Sequence, residues 1–373
     1  MATYSRKVRA GLSMYIHHGP LVSYYSAKTR AYLGFKRIPF VETHDCAAYR
    51  ERVVPAIGFT VFPVLESDGE FLQDTTVIID TLEARHPERP AFPTDPVLML
   101  VTRIVEFFID ELWVTTAMHT RWNDPDAARF ATGDLNLYFG KGEDTGPWSN
   151  GDVVARQMQN HLPNLGIHTE DGQHQIQRLF EDATKHLNKA VGPMRFAFGE
   201  RASLIDCCLF AGYFPHQYRD HGSAERYLKT EAAGLSYYID KMQAAYSAPA
   251  SGDLALSDEI LDYLQYIGPI AAAYAISVKQ LAQPLLVATE SGDTLELTLA
   301  PEIELYGKPF KRNCGIFSAW KAQRVQDLYD GLSDDDGNRA DELMAAIGWQ
   351  PFLASPTMAR IERVGFELQR AKH

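Results

Sequence analysis

The spacing of apolar and polar positions changes repeatedly along the chain, and each change predicts an element. Leu12 to Ile16 reads as a short strand, followed by a loop from His17 to Val22 that contains Gly19-Pro20. Ala31, Tyr32 and Phe35 fall at helical spacing, so a helix is expected over Ser26 to Lys36. Ile38 to Glu42 resembles a strand, whereas His44 to Thr60 reads as irregular or weakly helical. Val61 to Glu66 and Glu70 to Gln73 flank Ser67-Asp68-Gly69, a hairpin signal because Asp-Gly tolerates positive φ. Asp74-Thr75 would cap a helix through Glu83, ended by His86-Pro87.

That order, β-α-β-(loop or helix)-β-β-α, is the order of a thioredoxin-like domain. Glu88 to Pro96 is proline-rich and reads as a linker, and the pattern beyond it turns helical. Val97 to His119 is apolar on one face. Arg121 to Gln173 is expected to be a long Gly-, Asp- and Asn-rich connection with one helix near Asp152 to His161. Helix resumes over Gln173 to Ala190. Ser203 and Asp206 are spaced as a capping box before an apolar run to Phe214. Leu235 to Met242 is a further helix, and Ala248 to Ser257 a second linker. The rest predicts a helix over Asp258 to Leu281 and a hairpin of LLVAT and TLELTLA around Glu290-Ser291-Gly292-Asp293. Helices then follow near Phe317 to Leu332, Ala340 to Ile347 and Thr357 to Ala371. Three units result, at 1–93, 94–250 and 251–373, with no internal repeat.

Composition narrows the class. The 373 residues are 46% hydrophobic and 23% charged, ordinary for a soluble globular chain. A net charge of −12 argues against nucleic acid or an anionic membrane as partner. Four cysteines are too few for a disulfide scaffold and lack metal spacing, and Cys207-Cys208 lie in an apolar run as buried thiols. No signal peptide is evident, and no apolar run approaches the roughly 20 residues that span a bilayer. A reduced, cytoplasmic protein is expected.

Three segments stand in one register: SYYSAKTRAYL from Ser23, VFPVL from Val61 and LQDTTVII from Leu72. Together they resemble the glutathione-binding half of a cytosolic glutathione S-transferase of the serine/cysteine type, bacterial-like, here with an unusual C-terminal extension. The resemblance implies a thioredoxin-like domain (1–93), an all-helical transferase domain (94–250) and an extra α/β extension (251–373). It covers about two thirds of the chain. Ser203 and Asp206 resemble the N-capping box of the buried helix in that family's second domain.

The resemblance implies that Ser23 activates the glutathione thiol, since the thiolate is the reactive species. Lowering a thiol pKa near 8.5 by two units needs roughly 2.7 kcal/mol, and one charge-assisted hydrogen bond supplies about 1.5–3 kcal/mol. Ser23 equally suits a simple helix cap. Tyr15 and Ser26 are the alternative hydroxyls. The resemblance further implies that Pro63 is cis, turning the Phe62 backbone toward the ligand, although an ordinary trans proline also suits a strand start. Asp74 and Thr75 would bind the γ-glutamyl end at a helix N-terminus, or merely cap it. Between Val53 and Phe62 no basic residue is present, so Arg52 or His44 would have to hold the glycyl carboxylate. Phe107, Phe108, Trp113 and Tyr213 would line an electrophile pocket or join the core. His17-His18 are expected to be exposed, Asp334 to Asn338 to form a solvated turn, and no metal is expected.

The reading is an enzyme that activates the glutathione thiolate for attack on a small apolar electrophile, by conjugation or glutathione-dependent ether or halide cleavage. A related possibility is an isomerase that recycles glutathione. The alternative is a non-catalytic transferase-fold interaction module, favoured by the missing basic residue and the unfamiliar C-terminal third. By resemblance a homodimer is expected.

Overall fold

The computed structural model describes residues 14–43 and 46–372. Its first part is a mixed sheet of order β2-β1-β3-β4. Strand β1 (Tyr15–His18) pairs parallel with β2 (Phe40–Thr43), and antiparallel with β3 (Val64–Ser67), which forms a hairpin with β4 (Glu70–Gln73). The hairpin turns through Asp68 and Gly69, both at positive φ, as Asp-Gly allows. Helix α1 (Tyr24–Lys36) follows β1, and short helices α2 (Cys46–Ala48) and α3 (Val54–Ile57) flank a π-helical turn before β3. Helix α4 (Thr75–Arg85) closes this part. It is thioredoxin-like, as expected. The strand expected at Leu12 starts instead at Tyr15 and runs through His18; Leu12 itself lies outside the described residues.

His17 and His18 are not exposed: each is within 1% of complete burial. Strand pairing explains this, because the ring of His17 bonds Glu42 on β2 and Thr29 on α1, each at 2.7 Å, and His18 bonds Glu66 on β3 at 2.8 Å.

Helices α5 (Pro96–Phe107) and α6 (Val114–Trp122) are joined end to end by a π-helical turn, Phe108–Trp113. Within the connection expected over Arg121 to Gln173, α8 (Gly151–Asn160) is the helix expected near Asp152 to His161, and α7 (Pro125–Phe139) is a further helix where loop was expected. Asp124 caps α7 and Asn150 caps α8, so polar residues that read as loop are helix starts. Helices α9 (Glu170–Ala190), α10 (Leu204–Tyr213), α11 (Ser223–Glu231) and α12 (Ala233–Gln243) complete the helical part. The Ser203–Asp206 capping box is present at the start of α10, which is buried along its whole length. Phe107, Phe108, Trp113 and Tyr213 are all core, each no more than 1% exposed.

The final third is extra α/β structure, with a different distribution of elements from that expected. Helix α13 (Asp258–Ala288) continues through LLVAT, with Pro269 and Pro284 inside it. By length and composition alone it could cross a membrane, yet 44% of its most apolar window is buried and it packs on α9. Strands β5 (Thr298–Leu299) and β8 (Cys314–Gly315) pair around the hairpin of β6 (Glu302–Leu305) and β7 (Lys308–Lys311). Helices α14 (Phe317–Asp330), α15 (Asp334–Ala346) and the short α16 (Gln350–Leu353) follow. Ser333 caps α15, so Asp334 to Asn338 form its first turns rather than a solvated loop, with their acids near its positive end. The helix expected over Thr357 to Ala371 is instead a hairpin, β9 (Ile361–Val364) and β10 (Glu367–Arg370), turning at Gly365.

The main apolar core includes residues from Tyr15 to Leu368, and two smaller clusters form around Trp122 and Tyr138 and around Tyr49 and Val53. Helix α14 packs on α5, and the extension meets the helical part at a point too close for any side chain: a Cβ at Gly166 would lie 2.3 Å from the Lys311 carbonyl oxygen. Within the extension, a Cβ at Gly268 of α13 would lie 1.9 Å from the Ile347 carbonyl oxygen.

Candidate functional site

Three parts of the chain converge on one cavity of about 360 Å³, within the size range of small-molecule sites. The thioredoxin-like part contributes Tyr25, Phe62, Pro63, Gln73, Asp74 and Thr75. The π-helical turn contributes Asp110 and Glu111, and the extension contributes Arg312, Cys314, Phe317 and Lys321.

Local sequence explains the first wall. The Phe62–Pro63 peptide is cis, as expected, and delivers both residues to the mouth of the β3–β4 hairpin. Asp74 sits at φ 72° and caps α4: its Oδ1 accepts from Thr76 N at 2.9 Å and Val77 N at 3.2 Å. Thr75, first residue of that helix, is 2% exposed and lines the cavity, and its Oγ1 is buried without a hydrogen-bond partner among the described residues. A helix N-terminus carries partial positive charge and free N–H groups, so a ligand carboxylate is the complementary group here.

The second wall is held open by side chains that satisfy a broken helix. A π-helical turn departs from the regular i to i−4 ladder and often marks a functional site. Tyr24 Oη donates to the Ile109 carbonyl at 2.8 Å, Tyr25 Oη to that of Asp110 at 2.9 Å, and Arg312 Nη1 to that of Glu111. The tyrosine hydroxyls of the SYYS segment are therefore engaged in supporting this turn.

Beneath the cavity lies a buried ion network. Lys28 Nζ reaches Glu106 at 2.9 Å and Asp110 at 2.6 Å, and Lys321 bonds the same Asp110 oxygen from the extension. Arg103 joins Glu106 to Asp80, which also pairs with Arg324 of α14. Burial alone would raise the Glu106 carboxyl, but Lys28, Arg103 and Lys321 outweigh it and hold the group well below its ordinary pKa. Burial would likewise discharge Lys321, but Asp110, Asp74 and Glu111 keep it well above its ordinary value. Glu111 is pushed the other way: burial raises its pKa despite Lys321 nearby and the Ser318 hydroxyl on its Oε2.

The candidate hydroxyls do not share one place. Ser23 caps α1, its Oγ accepting from Ser26 N at 3.3 Å, and is half-buried two residues before the cavity-lining Tyr25; Ser23 itself does not line the cavity. Tyr15 Oη bonds His86 at 3.0 Å, and Ser26 Oγ is buried without a partner below Gly19; neither lines the cavity. Arg52 pairs with Glu66 at 2.7 Å and is also absent from the cavity wall, while His44 lies outside the described residues. Among the described residues no group of three or more His, Cys, Asp or Glu is placed to hold a metal.

Asp110, Glu111, Arg312 and Lys321 were not foreseen as site residues. One signal was available for the first two, an acidic pair interrupting the apolar run FFIDELW. None existed for Arg312 and Lys321, which reach the cavity by long-range packing.

Residues 18–90 match the family model described as glutathione S-transferase, N-terminal domain. The chain carries the N-terminal domain of the glutathione S-transferase family. No curated protein matches it. Among solved structures, a beta-etherase from Sphingobium sp. strain SYK-6 is 20% identical, with TM-score 0.42, over 63% of this chain and 96% of its own. A glutathione S-transferase from Methylobacterium radiotolerans, solved with glutathione sulfonate, is 19% identical over 65% of this chain and 99% of its own, with TM-score 0.38. A maleylacetoacetate isomerase from Anaeromyxobacter dehalogenans 2CP-1 is 17% identical over 64% and 94%, with TM-score 0.34.

Proposed function

We propose that this transferase-family protein binds glutathione in the three-walled cavity and presents its thiolate to a small apolar electrophile. The observation that carries the reading is the N-terminus of α4, where the unpartnered Thr75 hydroxyl opens onto the cavity beside the cis Phe62–Pro63 peptide. Thr75 and the free N–H groups take the γ-glutamyl carboxylate, and the Phe62 backbone pairs with the cysteinyl unit. Asp74 remains near the ammonium while its Oδ1 caps the helix. The Ser23 hydroxyl, whose oxygen accepts from Ser26 N, keeps its proton available to donate to the thiolate. Phe62 and Phe317 supply apolar surface for the electrophile. The reaction is conjugation or cleavage of an ether or carbon–halogen bond, in a homodimeric, cytoplasmic protein.

The interaction-module reading keeps one specific support: Ser23 is not itself a cavity wall. Calorimetric titration with glutathione, with thiolate absorbance followed in wild type and Ser23→Ala, separates the two. Binding by both with a thiolate signal only in wild type supports the enzyme. No binding at millimolar glutathione removes the proposal.

A further inference from the structure

The cavity has cations, but among the described residues the thioredoxin-like part supplies none of them. The charged cavity residue from that part is Asp74, an acid, and Arg52 is engaged by Glu66 away from the wall. Among the described residues the cations that line the cavity are Arg312 and Lys321, both from the extension. Glutathione at neutral pH carries two carboxylates and one ammonium, so a site with no cation of its own would leave a carboxylate poorly compensated.

We infer that Lys321 takes the γ-glutamyl carboxylate of bound glutathione together with Thr75, so that residues beyond 250 complete the binding site rather than decorate it. This rests on the glutathione reading above and deepens it.

Lys321 is already fixed for that task. It is 6% exposed, and its bond to Asp110 leaves two of three ammonium N–H donors, since Glu111 stands off at 3.8 Å. Asp110 is itself held by Lys28, so the lysine is anchored without being fully neutralised. Lys321 and Asp74, the cap of α4, line the same cavity. Thr75 Oγ1 lines the same cavity and has no hydrogen-bond partner among the described residues. Arg312 stands beside it with Nη1 on the Glu111 carbonyl and Thr115, and Nε on the Asn313 carbonyl; Nη2 makes no hydrogen bond to the described residues. The acids Asp74 and Glu111 on the same cavity give the mixed charge that an amino-acid zwitterion requires.

The test is calorimetry on the full chain with two probes, glutathione and cysteinylglycine, which lacks the γ-glutamyl unit. Loss of one charge-assisted hydrogen bond in a buried site corresponds to roughly tenfold or more in affinity. Lys321→Met should therefore weaken glutathione about tenfold or more, Lys321→Arg should restore most of it, and cysteinylglycine should bind all three proteins alike. Circular dichroism checks the fold; if Lys321→Met does not fold, Lys321→Gln, whose amide keeps a hydrogen bond to Asp110, carries the same comparison. Equal glutathione affinity in wild type and the folded charge-removed variant overturns the inference while leaving the glutathione reading intact. Equal weakening of both probes also overturns it, because the lysine would then act on the fold of the site rather than on the γ-glutamyl end. Failure of wild type to bind glutathione removes the underlying reading as well.

Discussion

The thioredoxin-like part and the C-terminal extension build two walls of one cavity by different physical means. The first wall is made largely of backbone: a cis peptide, a hairpin mouth and the N-terminus of α4. The second is made of side chains, Arg312, Phe317 and Lys321, set in place by packing and by ion pairs to the π-helical turn. Backbone devices are written in short motifs, because proline, a capping acid and a turn glycine act on their own neighbours. A side-chain wall is written only in contacts between residues far apart in sequence.

That contrast can be broken most severely at Trp349. The ring is fully buried and lies 6.1 Å from Phe107 of α5, so Trp349→Ala should cost about 3–5 kcal/mol in denaturant unfolding. A loss confined to the extension, with the rest unfolding as in wild type, would show that the two regions do not share one core. Asp110→Asn comes next. It removes the carboxylate shared by Lys28 and Lys321, and stripping one partner from a buried pair costs about 3 kcal/mol. Ser23→Ala should reduce turnover about tenfold or more while lowering stability by only about 1 kcal/mol, the ordinary value of a helix cap.

A smaller effect is carried by pH. Burial lowers the pKa of His17 and, with Arg121, that of His216, from 6.5. Both rings are neutral in the fold and titrate near 6.5 when unfolded, so the unfolded chain takes up protons first on acidification. Their stabilising share is complete above pH 6.5 and is lost as pH falls toward the folded values. Glu42, held near 2 by His17 and Arg30 although burial opposes this, keeps its share until below its ordinary 4.5. The melting temperature should therefore fall between pH 6.5 and 4.5, and His216→Gln should flatten that slope. The smallest effect is at Arg85, whose pair with Glu70 is largely exposed: Arg85→Ala should change stability by no more than about 0.5 kcal/mol.

Legibility in the sequence follows the same division. The β3–β4 hairpin, the caps of α1, α4 and α10, and α14 could all be read, because each depends on residues a few positions apart, whereas the cis state of Pro63 was legible only through the family resemblance. Helix α7 reads as loop because its Gly, Asp and Asn content hides the cap at Asp124, whereas α8 lies within a residue of the helix expected near Asp152 to His161. The final hairpin read as helix, since two short strands joined by Gly365 show only a few alternating positions. His17 and His18 read as exposed because a strand's burial depends on what pairs beside it.

By itself the sequence determined the thioredoxin-like order, the register of Ser23, Pro63 and Asp74-Thr75, and the existence of a third region without a familiar counterpart. Only the tertiary structure decided that this region reaches the same cavity, that its lysine shares Asp110 with Lys28, and that the tyrosines beside Ser23 are occupied by a π-helical turn. The reason is range: hydrogen bonds within a turn or cap are fixed by adjacent residues, whereas a buried charge finds its partner through the packing of the whole chain.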